Sequence, residues 1–118
     1  MLIDSLTFSL EKSGALDLFW GKLDAGEDAT LGLAASARPF LVAARYTHRP
    51  QSTLVVVAGE EAAATFARGV ASYLGDEQVV RFPERSDWPC DLGAVNAAEI
   101  AHRMEAAHAL MVGRPCVV

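Results

Sequence analysis

The stretch "STLVVVAGEEAAATFARGVASYLG", residues 52–75, sets the predicted fold of this chain. Its first seven residues are apolar on both faces and rich in β-branched side chains, which is typical of a central strand in a parallel sheet. The residues after Gly59 repeat apolar side chains at helical spacing until Gly75, a residue that commonly follows the end of a helix. The stretch therefore predicts a buried strand followed by an amphipathic helix.

The same alternation extends in both directions along the chain. Asn96 and Glu99 have the spacing of a capping box, which predicts the start of a helix, and Pro39 falls in the first turn of another. Crossovers of this kind give a parallel sheet with helices on both faces, so we predict the α/β class. The predicted strands lie at 29–33, 52–58, 78–83 and from Pro115, and the predicted helices lie at 37–49, 60–74 and 97–111.

The first 26 residues form a separate N-terminal helical segment in this interpretation, and residues 27–118 form the second unit. An amphipathic stripe at i, i+3, i+4 and i+7 predicts a helix there, with Ser13 as its cap. A shorter helix over residues 3–10 is a weaker expectation. The stripe consists of Leu16, Phe19, Trp20 and Leu23.

Charge, apolar runs and cysteine content indicate which classes of function and which compartment suit this chain. The 118 residues carry a net charge of −5, and the ten lysines and arginines are scattered, so we expect no cationic face and no useful affinity for duplex DNA. The chain starts without a signal peptide and holds no apolar run of membrane-spanning length, which predicts a cytoplasmic protein. Cys90 and Cys116 form no CxxC pair and are expected to be reduced thiols. The final "RPCVV" resembles the opening of a buried strand, which suggests a piece of a longer polypeptide.

The loop before the second predicted helix stands where nucleotide-binding proteins keep a phosphate loop, GxxxxGK[ST]. If Gly32 is aligned with the first glycine, Ala37 replaces the second glycine, Arg38 the lysine and Pro39 the magnesium-binding hydroxyl. Ser36 is predicted to cap the helix. Two interpretations remain: an ordinary turn without ligand, or a weak anion site on the amides of Ala37 and Arg38.

No other pattern indicates catalysis. Glu60 and Glu61 follow a strand, but the helical pattern after them predicts a first helical turn, where they complement the helix dipole. His48, His102 and His108 lack metal-ligand spacing, and no nucleophile motif is present. We therefore predict no catalytic residue, no metal and no cofactor in this chain.

The order of five motifs from about Gly32 onward resembles the N-terminal module of bacterial transcription-repair coupling factors and, more distantly, the first domain of the excision-repair protein UvrB. Arg103 stands where the family has the arginine of an "ERL"-like turn. The matching stretches are "GLAASARPFLVAA" (32–44), "TLVVVAGE" (53–60), "YLGD" (73–76), "RFPERSDWPCD" (81–91) and "AHRMEAAHAL" (101–110), followed by "RPCVV" (114–118).

The resemblance implies a helicase-like partial domain, that is, a phosphate-loop NTPase module whose loop at residues 32–39 has degenerated. The parent protein would be an ATP-dependent DNA translocase that displaces stalled RNA polymerase and recruits UvrA for nucleotide-excision repair. ATP and magnesium would bind its C-terminal motor. UvrA would be contacted by a neighbouring inserted domain, and RNA polymerase and duplex DNA by other domains. This chain would act in recruitment and autoinhibition.

Two alternatives remain at this stage. The chain could be the first motor domain of UvrB or another helicase, against which the missing lysine argues. It could also be a free-standing flavodoxin-like or receiver-like interaction domain, against which the lack of acidic residues after the first predicted strand argues. Affinity for nucleotide, and the sequence beyond Val118, discriminate among these classes.

Overall fold

The computed structural model of the chain describes residues 2–85 and 96–118, and the described part is a small helical domain, 62% helix and 3% strand. Two short 3-10 turns, Ala35–Ala37 and Asp76–Gln78, accompany the helices. The helices are α1 (Leu2–Ser13), α2 (Asp17–Asp24), α3 (Arg38–His48), α4 (Glu60–Leu74) and α5 (Ala97–Met111).

The predicted α/β class is wrong. Within residues 2–85 and 96–118 there is no sheet, and the predicted strands at 52–58, 78–83 and from Pro115 are reduced to two isolated parallel bridges. The predicted strand at 29–33 forms no bridge with a described residue. β-branched side chains favour an extended backbone, but a strand exists only where a neighbouring backbone supplies its hydrogen bonds.

The two bridges share one residue. Thr53 and Val79 both pair with Val117, from opposite sides and in parallel orientation. The Thr53 amide donates to the Cys116 carbonyl at 2.9 Å, and the Val80 amide donates to the Val117 carbonyl at 2.7 Å. The extended segment at 116–118 is therefore held between two others, but each contact extends over only a few residues.

Helices lie against both sides of this middle segment. Val117 belongs to a cluster with Ala43 of α3 and Val70 of α4, which also takes in Ile3 of α1. Cys116 belongs to a second cluster with Val80 and two buried alanines of α5, Ala106 and Ala109. Because successive side chains of an extended segment point to opposite sides, one short segment contributes to both clusters.

The helix predictions are largely confirmed. The Asn96 Oδ1 accepts hydrogen bonds from the amides of Ala98 and Glu99, so Asn96 caps α5 as expected. Gly75 follows α4 with φ 90°, a conformation that favours glycine. Glu60 and Glu61 lie in the first turn of α4.

Two predicted caps are wrong. Ser36 lies within the 3-10 turn, and the N-cap residue of α3 is Ala37, which makes no side-chain hydrogen bond. Ser13 is the last residue of α1 rather than the cap of α2, because its hydroxyl donates to the Leu10 carbonyl at 2.6 Å. The Ser13 hydroxyl therefore bonds to the turn before it instead of starting the next helix.

The predicted loop containing Trp88 and Pro89 lies outside the described residues, as does Cys90. Cys116 is a free thiol and is buried.

Helices α3 and α4 pack closely where Gly69 faces Pro39. A Cβ atom on Gly69 would lie 3.0 Å from both Cβ and Cγ of Pro39, and the pyrrolidine ring is too rigid to move aside. Gly69 therefore permits the packing of these two helices.

We expect Gly69→Ala to destabilise the protein by about 1 kcal/mol. Alanine gains about 1 kcal/mol of helix propensity, whereas overpacking at a fixed contact costs roughly 1 to 3 kcal/mol. Gly21→Ala in α2 is the matched control, since nothing lies within 4 Å of its added Cβ, and should stabilise by about 0.5 to 1 kcal/mol. Urea denaturation followed by circular dichroism measures both changes; equal stabilisation by the two alanines would contradict the packing argument.

Candidate functional site

The sequence-predicted phosphate loop adopts a turn that leads directly into α3. Gly32, Ser36 and Arg38 are exposed, whereas Ala37 and Pro39 are half-buried. Arg38 is the first residue of α3 and Pro39 the second, a position at which a proline ring fits without loss of a helical hydrogen bond.

The chemistry of this loop does not match that of a phosphate site. Pro39 packs against Gly69 of α4, so the position that would hold a magnesium-binding hydroxyl instead makes a helix–helix contact. Gly32 has no positive φ, and the positive-φ glycines of the described chain lie elsewhere. Free amides at the start of α3 are common to every helix and do not by themselves make a site.

An apolar groove of about 280 Å³ lies on the described surface. The extended segments 54–57 and 79–83 form its two walls, and residues of α4 form its floor. Leu54 and Val56 of the first wall are large apolar side chains, yet they are 73% and 84% exposed. The floor residues are Ala63, Phe66, Ala67 and Val70.

Charged side chains fix the wall at 79–83. Arg81 of this wall forms an ion pair with Glu60 at the start of α4. Glu60, which was predicted to complement the helix dipole, therefore also holds this wall in place. Arg103 of α5 donates to the Pro83 carbonyl at 2.7 Å, and its guanidinium lies 4.0 Å from the centroid of the Phe82 ring. The motif arginine of α5 thus holds the second wall in place.

A polar cluster joins α2 to α3 on another side of the molecule. Asp24 accepts hydrogen bonds from Arg45 at 2.6 Å and from Arg49 at 3.0 Å, and the Arg45 guanidinium lies 5.4 Å from the Trp20 ring centroid. The hydrogen bond from Arg45, with smaller contributions from the charges of Arg45 and Arg49, lowers the pKa of Asp24, although partial desolvation opposes this. The sequence gives no sign of this cluster, because no local pattern connects residues 21 positions apart.

We expect Asp24→Asn to destabilise the protein near neutral pH but not in acid. A carboxyl whose pKa is lowered on folding contributes stability above its ordinary pKa of 3.8, and this contribution is lost as the pH falls through the lower folded value. Urea titrations at pH 6 and pH 3 measure the difference in stability between wild type and Asp24→Asn. This difference should be smaller at pH 3 than at pH 6 and should approach zero. Asp28→Asn, which removes the same charge from an exposed residue four positions further along the chain, is the control. A difference that stays constant with pH would exclude the ion pairs as its cause.

A tyrosine that the sequence analysis did not single out connects α3 to the extended segments. The Tyr46 hydroxyl oxygen lies 2.7 Å from Gln78 Oε1 and 2.8 Å from the Pro115 carbonyl oxygen, and the residue is buried. Burial, together with nearby Cys116, raises the pKa of Tyr46, so the hydroxyl keeps its proton and donates. Tyr46 thereby positions the segments 78–80 and 116–118 beside each other.

The three histidines that were considered as metal ligands do not lie together. His48 Nδ1 lies 3.0 Å from Glu11 Oε1, which links α3 to α1, whereas His102 and His108 are exposed on α5. Among the described residues no three histidine, cysteine, aspartate or glutamate side chains are grouped as they would be around a metal ion. Over the same residues, none of the helices combines the length and apolar character needed to cross a bilayer.

The fold and the groove define a small helical domain with an open apolar surface. No family model, no curated protein and no solved structure matches the chain.

Proposed function

We propose that this chain is the N-terminal, non-catalytic module of a transcription-repair coupling factor, a DNA translocase that recruits UvrA to stalled RNA polymerase. The proposal rests on the order of the sequence motifs from Gly32 to Val118, and not on the predicted sheet, which the described residues lack. Contacts with UvrA, RNA polymerase and duplex DNA belong to other domains of such a protein, as does the ATP- and magnesium-dependent motor.

The observation that carries the non-catalytic role is the loop at residues 32–39. It leads into α3 as a phosphate loop would, but it has no lysine. Pro39 packs against Gly69 at the position where a phosphate loop has a magnesium-binding hydroxyl. Arg38 is exposed, and its broad planar guanidinium is a poor replacement for the compact ammonium that reaches terminal phosphates. These features favour a recruitment module over a working motor domain.

Isothermal titration calorimetry with ATP and magnesium tests the non-catalytic role. We expect no saturable binding up to about 1 mM, a limit that corresponds to only about 4 kcal/mol of binding free energy. Saturable binding at roughly tens of micromolar, abolished by Arg38→Ala, would instead establish a motor domain. A mobility-shift titration at physiological salt is expected to detect no complex with duplex DNA, given the net charge of −5.

The reading frame of the source gene tests the assignment to this family. We expect the frame to encode, downstream of Val118, a second and intact GxxxxGK[ST] motif on a motor domain. A frame without such a motor would refute the proposed parent protein, even if the chain failed to bind ATP.

A further inference from the structure

A cavity of about 330 Å³ lies between the first three helices, beside the ion pairs of Asp24. Its sides come from the second half of α1, from α2 and from the second half of α3. One water molecule occupies roughly 30 Å³ in the liquid, so this volume has room for about ten non-hydrogen atoms, the size of a small metabolite. The titratable or hydroxyl-bearing side chains that line it are Thr7, Glu11, Asp17, Asp24, Arg45 and His48.

Two buried polar atoms of these residues, Thr7 Oγ1 and Arg45 Nη1, have no hydrogen-bond partner in the described structure. Thr7 is 8% exposed and the Arg45 side chain 12% exposed, so bulk water does not replace the missing partners. Thr47, by contrast, donates to the Ala43 carbonyl at 2.9 Å, as a helical threonine commonly does. Arg45 Nη2 donates to Asp24, which leaves Nη1 as the half of the guanidinium without a partner. Burial of unpaired polar groups is unfavourable, and more so for a charged donor.

Asp17 carries the carboxylate of this cavity that lacks a partner. Glu11 Oε1 lies 3.0 Å from His48 Nδ1, and Asp24 is paired with Arg45, so the other two carboxylates are already engaged. The exposed Asp17 side chain makes no hydrogen bond or ion pair with any residue that the structure describes. The cavity therefore offers a ligand one cationic donor, one hydroxyl group and one carboxylate.

We infer that this cavity binds a free amino acid with an apolar side chain. The carboxylate of the ligand accepts hydrogen bonds from Arg45 Nη1 and the Thr7 hydroxyl, which rotate from the side of the cavity onto the ligand as it enters. The ammonium group of the ligand pairs with Asp17. The apolar side chain contacts the Trp20 ring and Leu10, which line the same space.

A zwitterion fits this set of groups better than a simple ion of either sign. A simple anion would leave the Asp17 carboxylate without a partner and close to a second negative charge, whereas a simple amine would leave Arg45 Nη1 buried and unpaired. The inference concerns the three N-terminal helices and does not depend on the assignment of the chain to a transcription-repair coupling factor.

A titration of the full chain with L-leucine, followed by two-dimensional NMR of the backbone amides, tests this inference. Leucinamide, which lacks the carboxylate, and isocaproate, which lacks the ammonium group, are the matched controls because both keep the same side chain. We expect saturable shifts centred on Thr7, Trp20 and Arg45 with L-leucine. Each control should bind at least about tenfold more weakly, since it loses charge-assisted hydrogen bonds.

Two conservative variants test the contacts from the protein side. Thr7→Val removes the hydroxyl and should weaken L-leucine binding at least about tenfold without loss of stability, because this hydroxyl has no partner in the free protein. Thr47→Val, the same substitution on α3, should change affinity by less than about twofold. Asp17→Asn should weaken binding at least about tenfold, whereas Asp28→Asn should not. Circular dichroism checks folding; Asp17 is exposed, so its variant remains informative if Thr7→Val does not fold.

Three results would overturn the inference. An absence of saturable shifts up to about 10 mM L-leucine would show that the cavity holds water only. Equal binding of L-leucine and of either control would show that the charged groups of the ligand are not recognised. Unchanged affinity in the folded Thr7→Val or Asp17→Asn variant would show that the ligand binds without the contacts assigned to it.

Discussion

Replacing Val70 with alanine is expected to lower the free energy of unfolding by about 2 to 3 kcal/mol. The side chain is 0% exposed and lies at the centre of the cluster that joins α3, α4 and the segment 116–118. Losing two buried methyl groups removes about 1.6 kcal/mol of burial free energy, and the cavity left among close-packed neighbours adds a further cost. Urea denaturation followed by circular dichroism at 222 nm measures the change.

Val56→Ala is the matched control, because it is the same substitution at a side chain that is 84% exposed. Its effect should stay within about 0.5 kcal/mol, as for other surface positions. If Val56→Ala destabilised as strongly as Val70→Ala, the wall at 54–57 would be buried in solution, and the description of an open groove would be wrong.

Replacing Tyr46 with phenylalanine is expected to lower the free energy of unfolding by about 1 to 2 kcal/mol. The ring and its packing stay, but Gln78 Oε1 and the Pro115 carbonyl lose the one hydroxyl proton that they share, on an oxygen 2.7 Å and 2.8 Å away. A partly buried acceptor without a donor costs more than the net value of an average hydrogen bond. Denaturant unfolding gives the loss of stability, and amide exchange at Val80 and Val117 should accelerate, because Tyr46 positions the segments that contain them.

Tyr73→Phe provides the comparison for this substitution. The Tyr73 ring packs against Phe40 with centroids 5.6 Å apart, and among the described residues its hydroxyl makes no hydrogen bond. We expect Tyr73→Phe to change stability by less than about 0.5 kcal/mol. A similar loss in both variants would indicate that removal of any tyrosine hydroxyl is unfavourable here, and would contradict a specific role for Tyr46.

Helix positions could be read from the sequence because their signals are local. The Asn96 side chain reaches amides two and three residues further along, and Gly75 adopts its φ of 90° directly after α4. Such interactions depend on neighbouring residues alone, so spacing in the sequence is sufficient to find them. Ser13, which was predicted as a cap, shows the limit of this reasoning, because its hydroxyl bonds to the turn before it.

The sheet could not be predicted because pairing is not local. The run at residues 54–57 has the composition of a central strand, yet its backbone finds a partner only near Thr53 and Val55. β propensity describes a side chain that fits a half-buried surface, and whether such a surface exists depends on distant segments. The prediction therefore identified extended segments and their parallel orientation but overestimated how far they pair.

For this chain, the sequence by itself determined four of the five helical regions and indicated the first only weakly; it also showed that the loop at residues 32–39 has no lysine and that Pro39 replaces the magnesium-binding hydroxyl. Both follow from which residue types occupy neighbouring positions. Only the tertiary structure decided that Pro39 packs on Gly69, that Asp24 pairs with Arg45, and that Thr53 and Val79 meet on either side of Val117. Each of those contacts joins residues more than 20 positions apart, and the energies that select them arise from close packing and desolvation, which exist only once the helices have assembled.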